Sequence, residues 1–115
     1  MVSTAVLRAW APVVLWATVI FAFSSIPSLG TGLGTWDLVL RKLAHLTEYA
    51  VLGVLLARAL SRPALAVLVG GLYAMSDEIH QHFVRGRKGA WYDVVLDTLG
   101  VIVGVIAWRR SRWSR

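Results

Sequence analysis

The sequence predicts an all-α integral membrane bundle of four transmembrane helices with short loops. The chain has 115 residues, of which 57% are hydrophobic, and it contains six tryptophans. A soluble domain of this length would expose too much apolar surface. The apolar residues form four runs separated by clusters of Gly, Pro and charged residues, which are the usual breaks between helices. The runs use most of the chain, so we expect residues 1–115 to form a single transmembrane domain.

The four spans follow from the apolar runs and the lengths that a bilayer requires. A span needs roughly 17–25 residues, so each run is extended by a few flanking positions. We interpret the first run as a retained span, because no small-residue cleavage site and soluble body follow it. The chain has no cysteine, which excludes disulfides, thiol catalysis and zinc–thiolate sites. The expected spans are about residues 9–26, 42–60, 63–81 and 92–109.

The distribution of charge predicts the orientation in the membrane. Four spans place both termini and the loop between spans two and three on one side, which carries seven arginines against five bases on the other. All six acids lie in the half with the five bases, so those five bases can pair with carboxylates. We therefore expect a multi-pass protein of the inner (cytoplasmic) membrane with both termini in the cytoplasm. Topology and contacts with membrane lipids explain the pI of about 10.8, and we expect no nucleic acid as a partner.

Polar residues of three spans are expected at one depth. Counted from the cytoplasmic end of each span, Glu48 lies about 18 Å deep, Asp77 about 21 Å and Asp97 about 18 Å. The hydrocarbon core is roughly 30 Å thick, so these residues reach a level ~10 Å below the outer surface. Ionisable residues inside a membrane are costly and are functional candidates. Their shared depth predicts a polar pocket that opens outward.

Helical periodicity also places the polar residues on shared faces. Glu48 lies at the edge of the polar face of span two, and Glu78 and His80 flank that of span three. Gly100 and Gly104 form a G-x-x-x-G pattern, in which small residues let helices approach closely. The residues that share these faces are Lys42, His45, Tyr49 and Gly53 in span two, Gly70, Tyr73, Asp77 and Gln81 in span three, and Asp93, Asp97, Gly100 and Gly104 in span four.

Three segments carry a resemblance to a known family. They are K-L-A-H-L-T-E-Y-A-V-L-G (Lys42–Gly53), S-D-E-I-H-Q-H-F-V-R-G-R (Ser76–Arg87) and D-V-V-L-D-T-L-G (Asp93–Gly100). Their order and spacing resemble the VanZ-like family of bacterial membrane proteins, over roughly Phe21–Gly104. The positions that match the family pattern are Lys42, His45, Glu48, Tyr49, Asp77, Glu78, Gln81, Gly86, Arg87, Asp93 and Gly100.

The resemblance implies a multi-span protein of the cell envelope. The founding member of the family is tied to resistance to the glycopeptide teicoplanin. The resemblance therefore implies a cellular context for the protein, but it does not imply a chemical reaction. The chain departs from the pattern at four positions, with Leu46 in place of Phe, Arg85 in place of Pro, Ala90 in place of Ser and Asp97 in place of Asn. The last departure adds a charge to the expected pocket.

The main functional hypothesis is a pocket that binds, or acts on, an anionic and lipid-linked envelope molecule. Arg87, Lys88 and Lys42 would hold its phosphate or carboxylate, because Arg offers a bidentate fork and Lys a point charge. Asp77 or Glu78 would serve as a general base. Whether any reaction is catalysed stays open at the level of the sequence.

The histidines extend this hypothesis. His45 or His80 would relay protons or bind a divalent ion. The sequence permits a divalent metal without implying one, and it implies no other cofactor. The candidate residues for chemistry are Asp77, Glu78, His45, Glu48 and Asp93, and those for substrate binding are Lys42, Tyr49, His80, Gln81, Arg87, Lys88 and Asp97.

Three alternatives remain beside this hypothesis. The carboxylates could carry protons in a small proton-coupled transporter, although span one has no acid and the pocket lies off the midplane. The protein could bind an envelope component without catalysis, or the acids could form a buried ion-pair network with a purely structural role. P-loop, H-E-x-x-H and G-x-S-x-G motifs are absent, so no standard enzyme class is indicated. The oligomeric state also stays open.

Overall fold

The computed structural model is all-α over the residues that it describes, which are 3–24, 35–83 and 91–113. Side chains are described for residues 3–23, 39–80 and 93–111. This part of the chain forms four helices and contains no strand, as the sequence predicts. The helices are α1 (Thr4–Ser24), α2 (Thr35–Leu60), α3 (Pro63–Phe83) and α4 (Trp91–Trp113).

Two helices begin earlier than the predicted spans. α1 starts at Thr4, because the Ser3 side-chain oxygen accepts a hydrogen bond from the Val6 N–H (3.2 Å) and caps the first turn. α2 starts at Thr35, ahead of the predicted residue 42. The apolar run of span two begins only after Arg41 and Lys42, but both of these residue types favour helix. The spans and the helices therefore coincide at their apolar centres and differ at their polar ends.

The turn between α2 and α3 lies at the predicted break. Ser61 adopts a left-handed conformation (φ 56°) directly after α2, and its N–H donates to the Ala57 carbonyl (2.9 Å). This is the common way to end a helix. Pro63 then opens α3, where its missing N–H costs no helical hydrogen bond. The helices α2 and α3 are thus joined by Ser61 and Arg62 alone.

Helix α2 is central and packs against each of the other three helices. Its closest approach is to α4, where glycines bring the two backbones together. A Cβ atom at Gly100 would lie 2.8 Å from the Leu46 carbonyl oxygen, and one at Gly104 would overlap the Ala50 backbone. Gly53 is equally tight against the backbone of Val101. These contacts confirm that the G-x-x-x-G of α4 is a helix-packing surface.

The outer surface of the described bundle is strongly apolar. In α3 and α4 the exposed apolar residues recur three or four positions apart and so form continuous stripes. Two helices, over Thr4–Phe23 and Val39–Leu60, are long and apolar enough to cross a membrane by length and composition. The residues of the exposed stripes are Leu68, Leu72, Met75 and Ile79 in α3, and Val95, Leu99, Val103 and Ile106 in α4.

Candidate functional site

Two contacts between α2 and α4 form one side of the polar cluster. Lys42 Nζ donates to Asp93 Oδ1 at 2.8 Å, and His45 Nδ1 lies 3.3 Å from Asp97 Oδ1. Lys42 and His45 are three positions apart on α2, and Asp93 and Asp97 are four positions apart on α4, which is about one helical turn in each case. The pairs advance together along both chains, so α2 and α4 run in the same direction. The polar faces predicted for these two helices therefore do meet.

A hydrogen bond between α2 and α3 forms the second side. The Tyr49 hydroxyl donates to Asp77 Oδ2 at 2.8 Å. Both residues are buried, with exposed fractions of 0% for Tyr49 and 3% for Asp77. The Tyr49 ring also lies 6.3 Å from the rings of His45 and Tyr73. Tyr49 thus links the α4 side of the cluster to α3.

The centre of the cluster consists of His45, Asp77 and Asp97. Each residue offers one ligand-type atom, and these atoms all lie within 4.8 Å of one another. The three side chains come from three helices, as the common depth and the shared faces predicted. The structure thereby brings the residues together, while their predicted roles in chemistry and binding stay predictions.

Three more predicted acids lie close to these residues along the helices. Glu48 follows His45 by three residues on α2, and its Oε2 is buried without a hydrogen bond to any described residue. Glu78 is half-buried and follows Asp77 directly on α3. Asp93 lies one turn before Asp97 on α4 and binds Lys42. The described cluster is therefore rich in carboxylates, with a lysine at one end.

His80 differs from the other candidates in its surroundings. Its ring stacks on Phe21 of α1, with 4.0 Å between the ring centroids and 20° between the planes. Its Nδ1 is buried without a hydrogen-bond partner among the described residues. His80 therefore lies at the junction of α1 and α3, and His45 is the histidine at the centre of the cluster.

Three predicted binding residues have side chains outside the part of the chain that the structure describes. Arg87 and Lys88 lie in the segment between α3 and α4, outside the described residues, and so does the side chain of Gln81. Of the three bases predicted to hold an anionic group, Lys42 is the one that the structure describes, and its side chain is 38% exposed.

Helix α1 contributes contacts near the site that the sequence did not predict. Trp16 Nε1 donates to the Glu48 carbonyl at 2.8 Å, and the carbonyl of Ala17 accepts a hydrogen bond from the Tyr73 hydroxyl. A tryptophan in the middle of an apolar run was the available signal, because a buried indole N–H needs an acceptor.

One of three comparisons with known proteins found a match. A search of curated proteins and a search of solved structures found no match. The family model described as VanZ/LLP1 matches residues 6–112, which include all four helical cores and every residue of the polar cluster. The chain therefore belongs to the VanZ/LLP1 family.

Proposed function

We propose that this VanZ-like protein crosses the inner membrane four times and binds an anionic component of the cell envelope in its polar cluster. The cluster opens toward the outer face, the termini are cytoplasmic, and the bound component is lipid-linked. Binding would act on, or shield, that component and so contribute to glycopeptide resistance.

The apolar stripes support four spans. Leu68 to Ile79 in α3 and Val95 to Ile106 in α4 each cover eleven residue steps, or about 17 Å along a helix axis. Neither stripe is covered within the described bundle, and lipid is the surroundings that favour such surfaces. The common direction of α2 and α4 also fits spans that alternate in direction, in which the second and fourth are parallel.

The observation that carries the proposal is the burial of two carboxylates from different helices. Asp77 is 3% exposed and Asp97 is 2% exposed. Removing such groups from water is costly, and a bundle held together by apolar residues at both sites would avoid that cost. Buried ionisable groups that converge from several helices are characteristic of functional sites.

The charge pattern along α2 suggests how an amphiphilic molecule would bind. Lys42 lies one turn nearer the predicted outer end of α2 than His45, and Glu48 lies one turn farther in. An anionic group would contact the basic end. Hydroxyl or amide groups of the same molecule would donate hydrogen bonds to the carboxylates and to His45.

The substitution Asp77→Asn tests the function while preserving the fold. Asparagine retains the shape of the side chain and an oxygen that can accept the Tyr49 hydrogen bond, but it removes the charge. We expect the melting temperature in detergent to stay near that of the wild type, and the teicoplanin resistance of cells that carry the protein to be lost. Ser76→Ala is the matched control, because Ser76 is the exposed neighbour of Asp77 and its hydroxyl donates to the Tyr73 carbonyl of its own helix.

The possible results separate function from structure. An Asp77→Asn protein that melts normally and still confers full resistance would contradict the functional role of this carboxylate. If the acid is a structural ion-pair partner, its loss should instead destabilise the protein by roughly 3–5 kcal/mol and reduce its expression. Resistance lost equally in Ser76→Ala would show that the assay reports on this segment of α3 in general.

A further inference from the structure

We propose that His45, Asp77 and Asp97 form a binding site for one divalent transition-metal cation of the Zn²⁺ type. This inference extends the proposed function, because a bound cation would let the acidic cluster hold an anionic group. Only this bridging role rests on the proposed function, since binding of the cation depends on the three side chains alone.

The chemistry and spacing of the three side chains suit such an ion. Imidazole nitrogens and carboxylate oxygens are both zinc ligands, and catalytic zinc sites use three protein ligands and leave a fourth position for water or substrate. Zn–N and Zn–O bonds of roughly 2.0–2.2 Å imply a separation of about 3.3–3.5 Å between neighbouring ligand atoms in a tetrahedron. His45 Nδ1 and Asp97 Oδ1 are 3.3 Å apart. The third ligand atom, from Asp77, lies within 4.8 Å of both, so a small rotation of one side chain completes the site.

A second observation concerns the Asp97 carboxylate. Asp97 is 2% exposed, and its Oδ1 is buried without a well-aligned hydrogen bond to any described residue, although His45 Nδ1 lies nearby. A buried carboxylate oxygen is costly unless it is hydrogen-bonded, paired or bound to a metal. His45 Nδ1 and Asp97 Oδ1 thus have the separation of metal ligands but lack the alignment of a good hydrogen bond.

The residues around the centre also resemble those of a metal site. The Tyr49 hydroxyl donates to Asp77 Oδ2 and fixes the orientation of that carboxylate. Outer hydrogen bonds of this kind orient ligands and strengthen metal binding. The imidazole favours Zn²⁺ and similar ions over Mg²⁺ and Ca²⁺, which prefer oxygen ligands throughout.

A bound cation also resolves a conflict of charge. Asp77, Asp97 and the half-buried Glu48 would repel an anionic group that entered the cluster, and the nearby Lys42 already binds Asp93. A divalent cation at the centre would reverse the local charge and offer its open position to a phosphate or carboxylate oxygen.

The experiment uses the full chain, purified in detergent and treated with a chelator. Zn²⁺, Co²⁺ and Mg²⁺ are added separately. We expect Zn²⁺ to raise the melting temperature and elemental analysis to find one zinc per chain. Co²⁺, which stands in for Zn²⁺, should give the visible absorption of a site with nitrogen and oxygen ligands, and Mg²⁺ should have no effect. A wild-type protein that retains no zinc and gives no Co²⁺ spectrum would overturn the proposal, whatever the variants do.

Variants identify the ligands. Asp97→Asn and His45→Gln should each weaken Zn²⁺ binding by more than 100-fold, and Tyr49→Phe should weaken it by about 10- to 100-fold because it removes only an outer hydrogen bond. Thr98→Val is the matched control beside Asp97, since its hydroxyl bonds to the Val94 carbonyl of its own helix. Equal zinc affinity in the wild type, Asp97→Asn and His45→Gln would place the ion elsewhere and refute the site.

Farnesyl phosphate, added with and without Zn²⁺, separates this inference from the proposed function. Binding that requires zinc supports both. If farnesyl phosphate binds equally well with and without zinc, the result supports the proposed function and refutes the bridging role of the cation. Zinc binding without any binding of farnesyl phosphate supports the metal site and counts against an anionic lipid as the ligand.

Discussion

Replacement of Gly100 by alanine tests whether the contact between α2 and α4 positions the polar cluster. A Cβ atom at this position would lie 2.8 Å from the Leu46 carbonyl oxygen and 3.1 Å from Tyr49 Cβ. Neither neighbour is the far end of a flexible side chain, so the added methyl group cannot be accommodated by a rotamer change. The two helices must separate instead.

The expected loss in free energy of unfolding for Gly100→Ala follows from these distances. Ordinary van der Waals contact begins at 3.4 Å and the carbonyl oxygen is at 2.8 Å, so the separation must grow by about 0.6 Å. A gap of that size forfeits roughly a quarter or more of the dispersion energy of the contacts that it opens. Overpacking of a close-packed core costs about 1–3 kcal/mol, and we expect a loss of that size for Gly100→Ala. The gain in helix propensity on replacing Gly by Ala offsets at most about 1 kcal/mol of it.

The free energy of unfolding in detergent measures this effect, and Gly71→Ala provides the control. A Cβ atom at Gly71 would meet Thr98 at 3.6 and 3.8 Å, which is ordinary contact. We expect Gly71→Ala to be neutral or slightly stabilising, while Gly100→Ala also weakens Zn²⁺ binding by moving Asp97 away from His45. If Gly100→Ala were as stable as Gly71→Ala, the close approach of α2 and α4 would be refuted as a constraint.

Three further predictions address single contacts and topology. Tyr49→Phe removes the hydrogen bond to the buried Asp77 carboxylate and should lower the free energy of unfolding by about 1–3 kcal/mol; an unchanged value would show that this bond is not formed. Lys42→Gln breaks the pair with Asp93, whose side chains are 38% and 22% exposed, so it should cost no more than about 1 kcal/mol and less at high salt; a larger loss would indicate a buried pair. A reporter fused to the C-terminus should be active in the cytoplasm, and activity on the outer side alone would move the polar cluster to the inner face.

The sequence predicted that polar residues of three helices meet, because helical geometry determines both depth and face. Lys42 and His45 are one turn apart, as are Asp93 and Asp97, and the structure pairs them in that order. An α-helix leaves little freedom in the relative placement of such residues. The sequence did not indicate which residue of another helix each of these side chains would contact. The sequence predicts that Lys42 holds a phosphate or carboxylate of the bound molecule, but it does not indicate the contact with Asp93 that Lys42 makes in the structure.

The helix ends and the contribution of α1 were predicted less well, for different physical reasons. Hydropathy reports on the solvent that a residue prefers, so it underestimates a helix such as α2 that continues past Arg41 to Thr35. The contacts of Trp16 and Phe21 depend on how α1 is rotated against its neighbours. An apolar run with few polar residues, such as that of α1, gives little indication of that rotation, because its faces are nearly alike.

Packing and chemistry depend on the same contact in this bundle. Tyr49 lies beside Gly100, and its hydroxyl holds Asp77. Gly100 follows Asp97 by three residues on α4, and the Leu46 carbonyl that limits its size belongs to the residue after His45. A helix is stiff over one turn, so a displacement at Gly100 is transmitted to Asp97 and changes its distance from His45. We therefore expect small residues between α2 and α4 to matter for binding as well as for stability. A glycine variant that loses stability but retains full zinc affinity would show that the cluster tolerates movement of the helices that build it.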